Sequence, residues 1–282
     1  MRLLTLNTHS RPEVASHAAR EIAALMLRES VDVAAFQEVN QSRDAKLAPQ
    51  KTLLQSGCRL PCDVSVPIGE DNFALTLAQR LQVSGGAYGW MYLPVKIGYE
   101  KYDEGLALFW RGEIEDVRSL VLSGVRDYAD WRRRMALGIR IDDTWFYSVH
   151  TARWDGGEES FLPQWQRLHS ATCGIGRVFL MGDFNCPADA AGQGYDRMIR
   201  DGWIDTFTAA KETQGYRTAD ADIDGWRDVG KPDGQRIDFI LCNDRHADFP
   251  FAQTVFDERQ GQTALSDHCG VLCRWTREGE AK

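Results

Sequence analysis

With 282 residues and 43% hydrophobic content, the chain can bury a sizeable core, and its formal charge of -8 gives it no general attraction for polyanions. No apolar run is long enough to span a bilayer, and no long basic stripe interleaved with aromatics marks a nucleic-acid track. These facts exclude a helical membrane protein and weigh against, without removing, a nucleic-acid partner.

In chain order, Leu3-Leu4-Thr5-Leu6 is a short β-type run that ends on the amide of Asn7. Ser10, Pro12 and Glu13 form a helix start, and Val14, Ala18, Ile22, Leu25 and Met26 follow at helical spacing. Residues 31–38 make a second strand that ends on the carboxylate of Glu38. Tyr102-Asp103-Glu104-Gly105 leads into the strand 106–110, and residues 135–141 form another, joined through a hairpin at Asp142-Asp143 to a strand that ends in His150. A helix over 161–172 precedes the strand 177–181, which delivers Gly182-Asp183-Phe184-Asn185. Two more apolar segments carry chemistry: Arg236-Ile237-Asp238-Phe239-Ile240, and the region after Ser266-Asp267-His268.

Acids, amides and imidazoles placed repeatedly at strand ends point to one rigid, partly dehydrated site. Asp183, Asp238 and Asp267 are hard oxygen donors suited to a divalent ion such as magnesium. His268 beside a carboxylate can act as a base or as a cationic phosphate clamp. Each motif alone reads equally well as a turn or a helix cap. Together, and in this order, they describe phosphoester hydrolysis.

The chain resembles the endonuclease/exonuclease/phosphatase superfamily through Leu-Asn-Thr-His at Asn7, Phe-Gln-Glu-Val at Glu38, Glu-Gly at Glu104, Val-His-Thr at His150, Gly-Asp-Phe-Asn at Asp183 and Asn185, Arg-Ile-Asp-Phe-Ile at Asp238, and Ser-Asp-His at Asp267 and His268. The motifs run from the first strand to the last, so one domain is expected over residues 1–282. The resemblance implies a four-layer α/β sandwich of two packed mixed β-sheets flanked by helices. It also implies Glu38 as the principal ligand of magnesium, or of manganese in its place, with Asn7 and Asp267 close to the ion. His268 would pair with Asp238, while Asp183 and Asn185 handle the nucleophilic water and the phosphate. His150 would contact phosphate with Glu104 orienting it. Whether Asp183 or His268 takes the proton, and whether one metal or two is used, stays open.

For the substrate, Trp154, Phe161, Gln164 and Trp165 follow His150, and Trp226 closes the run Asp222-Ile223-Asp224-Gly225. Rings beside acids and amides suit a carbohydrate, with Trp154 and Trp226 as the stacking candidates. Leu-Asn-Thr-His-Ser and Lys-Tyr-Asp-Glu-Gly-Leu-Ala are similar to the bacterial sugar-phosphate phosphatase branch, typified by maltose 6'-phosphate phosphatase. A small phosphorylated substrate is therefore expected, with a phosphodiesterase as the rival. A non-catalytic binding protein is disfavoured because the ligand set is intact. Arg132-Arg133-Arg134 reads first as a solvated lead into the next strand and second as a phosphate contact. Seven cysteines without a framework spacing, with Cys242, Cys269 and Cys273 in apolar strand sequence, and a first strand that begins at Leu3 point to the cytoplasm. Cys58 and Cys62 read as loop thiols rather than a metal clip.

Overall fold

Apolar residues at both parities of most strands make them buried on two faces, and the chain answers with two sheets stacked between helices. A computed structural model describes residues 1–10, 15–60, 66–155, 157–220, 223 and 234–276. The strands are β1 (Arg2–Asn7), β2 (Val33–Ser42), β3 (Gly89–Gly98), β4 (Tyr102–Trp110), β5 (Asp116–Val121), β6 (Met135–Ile141), β7 (Thr144–His150), β8 (Arg177–Asp183), β9 (Ile204–Asp205), β10 (Glu212–Gln214), β11 (Asp238–Cys242), β12 (Asp248–Val255) and β13 (Gly270–Thr276). The helices are α1 (Ala15–Arg28), α2 (Gln50–Gln55), α3 (Phe73–Val83), α4 (Phe161–Thr172), α5 (Gly194–Arg200) and α6 (Thr206–Ala209). One sheet has the order β10-β12-β13-β1-β2-β4-β3, the other β5-β6-β7-β8-β11-β9. The expected sandwich of two mixed sheets is the architecture found.

Alternation along each strand divides the core into three layers. Leu3, Val33 and Ala35 meet Phe146, Phe179, Met181 and Ile240 between the sheets. On the outer face of the first sheet, Leu4, Leu6 and Ala34 pack under Ala19, Ile22 and Met26 of α1 and under α3. On the other side Trp145, Tyr147 and Leu180 pack against Phe161, Trp165 and Leu168 of α4. The Phe146 and Phe179 rings stack at 5.4 Å in the middle layer, where truncating either would cost about 3–5 kcal/mol.

Register is what assembles the site. In the parallel pair β7/β8, His150 lies opposite Asp183, and in the antiparallel pair β8/β11, Asp183 lies opposite Asp238. Gln37 crosses between the sheets, donating to the Ser148 hydroxyl at 3.0 Å. That hydroxyl donates in turn to the Phe36 carbonyl at 3.0 Å.

Several expected boundaries shift. Strand β2 does not end at Glu38 but continues to Ser42 through an irregularity between Phe36 and Val39, and Glu38 takes φ 49° there. Such a bulge re-aims one side chain without ending the strand. Asp103 and Glu104 lie inside β4 rather than before it. The hairpin at Asp142 and Asp143 is as expected, with φ 43° and 60°, the two positive values a tight turn of this hand needs. The helix start at Pro12, Glu13 and Val14 lies outside the described residues. The Ser10 hydroxyl is used elsewhere, donating to the Glu38 carbonyl and accepting from the Asn40 amide, so it pins the bulge. No helix among the described residues is long and apolar enough to cross a membrane. Cys242, Cys269 and Cys273 are buried free thiols, Cys58 is half-buried, and Cys62 is outside the described residues.

Candidate active site

The second sheet contributes a row of three side chains, closed by His268 from the loop before β13. His268 Nδ1 lies 2.9 Å from Asp238 Oδ2, and its Nε2 lies 3.9 Å from Asp183 Oδ2. Burial alone would strip the imidazole of its charge. The carboxylates of Asp238 and Asp183 overcome this and push its pKa up to about 10. Asp183 is itself pushed up to about 7, by burial and then by Asp238, against the opposing pull of His268. Its two oxygens accept from Asn7 Nδ2 at 3.1 Å and from the Asn185 amide at 2.8 Å. The second donor is the Asn185 backbone N–H; Asn185 itself sits at φ 49° and donates its side-chain Nδ2 to the Thr151 carbonyl. His150 Nε2 is 3.7 Å from Asp183 Oδ2. Burial, then Arg134, drive His150 well below its ordinary value, so it is neutral where His268 is charged.

From the first sheet come Asn7 and Glu38, joined by Asp267 from the loop before β13. Asn7 Nδ2 donates to Glu38 Oε1 at 3.0 Å as well as to Asp183, so one amide spans both sheets. Burial would raise Glu38, but hydrogen bonding to His9 and Asn7 holds its carboxyl below the usual range. His9 Nδ1 lies 3.3 Å from Glu38 Oε2 and 3.5 Å from Asp267 Oδ2. An imidazole placed between two acids marks a position that favours positive charge, and hard oxygens at its border suit magnesium or manganese. The residues present therefore fit a divalent ion held by Glu38 and Asp267 with Asn7 nearby. Asp183, Asp238 and His268 also place ligand atoms within 4.8 Å of one another. There the His268 cation already balances the acids, and a second cation would face it directly.

Glu104 shares a pocket with His150 but has Lys96 as its ion-pair partner. Its carboxylate is 3.1 Å from Lys96 Nζ, both side chains being nearly inaccessible, whereas the acid beside His150 is Asp183. The reason is register: the pairing of β3 with β4 sets Lys96 opposite Glu104 and delivers the ammonium first. Arg134, at the end of the basic run, is also buried. It donates to the carbonyls of Trp131 and Arg133, with no carboxylate in ion-pair range among the described residues. Glu38, Glu104, His150, Asp183, Asn185, Asp267 and His268 all line one cavity of about 420 Å³, together with His9, Lys96 and Arg134. Asn7 and Asp238, fully buried, support it from behind.

The aromatic assignments fare differently. Trp154 packs against Phe161 at 6.2 Å in the outer core and does not line the cavity, because the short link from His150 turns its ring back onto α4. Trp226 lies outside the described residues. The cavity's aromatic wall is Trp131, 66% exposed, and Tyr99, 53% exposed. His9, Lys96, Tyr99 and Trp131 escaped the sequence reading, while Arg134 entered it only within a basic run read first as a solvated lead. His9 stood inside the quoted Leu-Asn-Thr-His, and the basic run carried Arg134, but nothing local distinguishes Lys96 from a solvated lysine.

A family model described as endonuclease/exonuclease/phosphatase family matches residues 4–268. No curated protein sequence gives a significant match. Among solved structures, an endonuclease/exonuclease/phosphatase family protein from Leptotrichia buccalis is 24% identical, with TM-score 0.80 over 98% of this chain and 100% of that one. A mannosyl-6-phosphatase from Bacteroides thetaiotaomicron is 14% identical at TM-score 0.64, covering 98% and 100%. A 3' phosphatase from Neisseria, solved with a product DNA hairpin, is 15% identical at TM-score 0.62, covering 98% and 100%. The chain thus belongs to the endonuclease/exonuclease/phosphatase family, a family of phosphoester hydrolases.

Proposed function

We propose that the chain is a cytoplasmic, magnesium- or manganese-dependent phosphomonoesterase, working as one domain over residues 1–282 on a small phosphorylated metabolite, foremost a sugar phosphate. The observation that carries this reading is the cavity. A volume of about 420 Å³ suits a small ligand, and its wall pairs aromatic faces with a floor of acids, imidazoles and buried cations. Among the structural neighbours, the mannosyl-6-phosphatase is named for such a substrate.

Glu38, Asp267 and Asn7 would hold the ion, which when bound supplies positive charge to the phosphoryl oxygens. Asp183, its proton affinity raised close to neutrality, takes the proton of the attacking water, and the Asn185 amide orients that water and the phosphate. His268 enters charged and donates to a phosphoryl oxygen while Asp238 fixes its orientation. His150, neutral, donates a hydrogen bond rather than a charge.

A nucleic-acid substrate is the second reading, favoured by the neighbour that carries a DNA product. Against it, Arg132 is already paired with Asp130 at 2.6 Å and Arg153 with Asp155 at 2.9 Å, so the rim offers a polyanion little unbalanced charge. The test is a screen of sugar phosphates and nucleotides with magnesium and with manganese, run beside plasmid nicking over a salt series. Sugar-phosphate turnover with weak, salt-insensitive nicking is expected. Robust nicking that falls steeply with salt, without sugar-phosphate turnover, overturns the reading.

A further inference from the structure

Lys96 is the buried charge that the chemistry above leaves unused. It sits just past the slip in register between Pro94 and Lys96, opposite Glu104, with its side chain 10% exposed and Nζ 3.1 Å from Glu104 Oε1. A buried ion pair of this kind gives little net stability over an apolar pair of similar volume, because desolvating both ions offsets their attraction. Stability therefore does not explain why lysine stands here. Arg134 lies close by, more than nine-tenths buried. Its Nε has no hydrogen-bond partner, and its Nη1 meets only backbone carbonyls. Of the two cations only Lys96 has a carboxylate in ion-pair range among the described residues, while the acids nearest Arg134 beyond Glu104 are Glu38 and Asp183 of the site itself. Lys96, Glu104 and Arg134 all line the cavity that holds His150 and Asp183.

A phosphomonoester near neutral pH carries up to two negative charges on its phosphate, and a diester carries one. The divalent ion and His268 answer the charge common to both. An ammonium that spends one donor on Glu104 keeps two others for oxygens in the cavity, and a monoester offers one more unesterified oxygen to receive them than a diester does. We propose that Lys96, held by Glu104 and seconded by Arg134, binds the terminal oxygens of a phosphomonoester and so selects monoesters over diesters. This inference rests on the phosphomonoesterase reading and adds the group that enforces it.

The experiment compares kcat/KM of the metal-loaded enzyme for p-nitrophenyl phosphate and bis(p-nitrophenyl) phosphate in wild type, Lys96→Met and Lys96→Arg. Lys96→Met should lower the monoester value at least about 10-fold more than the diester value, the scale of one lost charge-assisted hydrogen bond. Lys96→Arg should restore the ratio to within about threefold, since charge and donors are kept. Equal loss on both substrates assigns Lys96 a purely structural role and overturns the proposal, as does an unchanged ratio. Should Lys96→Met fail to fold, inhibition of wild type by inorganic phosphate and by dimethyl phosphate decides. Phosphate should bind more tightly, by a margin that grows as pH rises through its second ionisation, and equal inhibition by both sinks the proposal. A wild-type enzyme that cleaves only the diester refutes the phosphomonoesterase reading as well. Monoester turnover with an unaltered ratio refutes this inference alone.

Discussion

Asp183 Oδ2 and His268 Nε2 lie 3.9 Å apart, yet the two groups need opposite protonation states for the chemistry proposed. Below pH of about 7 Asp183 holds a proton and cannot accept another, so kcat/KM should fall as pH drops through that value. Above about 10 His268 loses its charge, and the rate should fall again. Asp183→Asn should remove most activity and the acid limb with it, and a pH-rate profile checks both. Glu38→Gln should cut turnover by at least about 100-fold and weaken metal binding measured by calorimetry, with little change in Tm without metal. Retained wild-type rates at saturating magnesium would count against Glu38 as the ligand. For the rim, Trp131→Ala should raise KM about 3- to 10-fold on a sugar phosphate, while Trp154→Ala should lower stability by about 1–3 kcal/mol with little effect on KM. These outcomes follow from where the rings stand: Trp131 on the cavity wall, Trp154 against Phe161. The acids and imidazoles were legible in sequence because each sits in a motif beside an apolar run. His9 and Lys96 were not, since their roles come from which acid lies opposite them in space.

At the level of strands, close approach matters as much as side chains. A Cβ on Gly182 would stand 1.9 Å from the Val149 carbonyl oxygen, so the β7/β8 pair that aligns His150 with Asp183 exists only with glycine there. Gly182→Ala should cost at least about 2 kcal/mol in urea unfolding and reduce activity beyond what the stability loss explains. Arg236 anchors the approach to β11. Its guanidinium meets Asp205 at 2.6 Å, with both side chains almost wholly buried, and lies near the rings of Tyr195, Phe207, Tyr216 and Phe239. Asp205→Asn leaves that cation uncompensated and should cost about 3–5 kcal/mol by the same measurement. Strands β6 and β7, the hairpin between them and helix α4 were readable from alternation, turn residues and helical spacing. The bulge at Glu38 was not, because Gln37-Glu38-Val39 carries no glycine or turn signal. A hydrogen bond from Ser10 across the loop holds it instead.

Across the whole molecule, the two sheets meet through an apolar layer that ends in polar bridges, Gln37 to Ser148 and Asn7 to Asp183. The fold class was legible from motifs spread along the chain; the order of strands was not, because pairing between distant segments leaves no local mark. The most distant pairing sets β1 beside β13, with Leu3 opposite Cys273 and the Met1 ammonium on the Trp275 carbonyl. During synthesis β1 is made first and its antiparallel neighbour last, so a ribosome-bound chain that has not passed residue 276 has β2 to cover one side of β1 and nothing for the other. Strand β12 is left with the same bare margin. Such unpaired edges are templates for association with other chains. The same final stretch brings Asp267 and His268 to the cavity, so the segment that closes the sheet also completes the site proposed above.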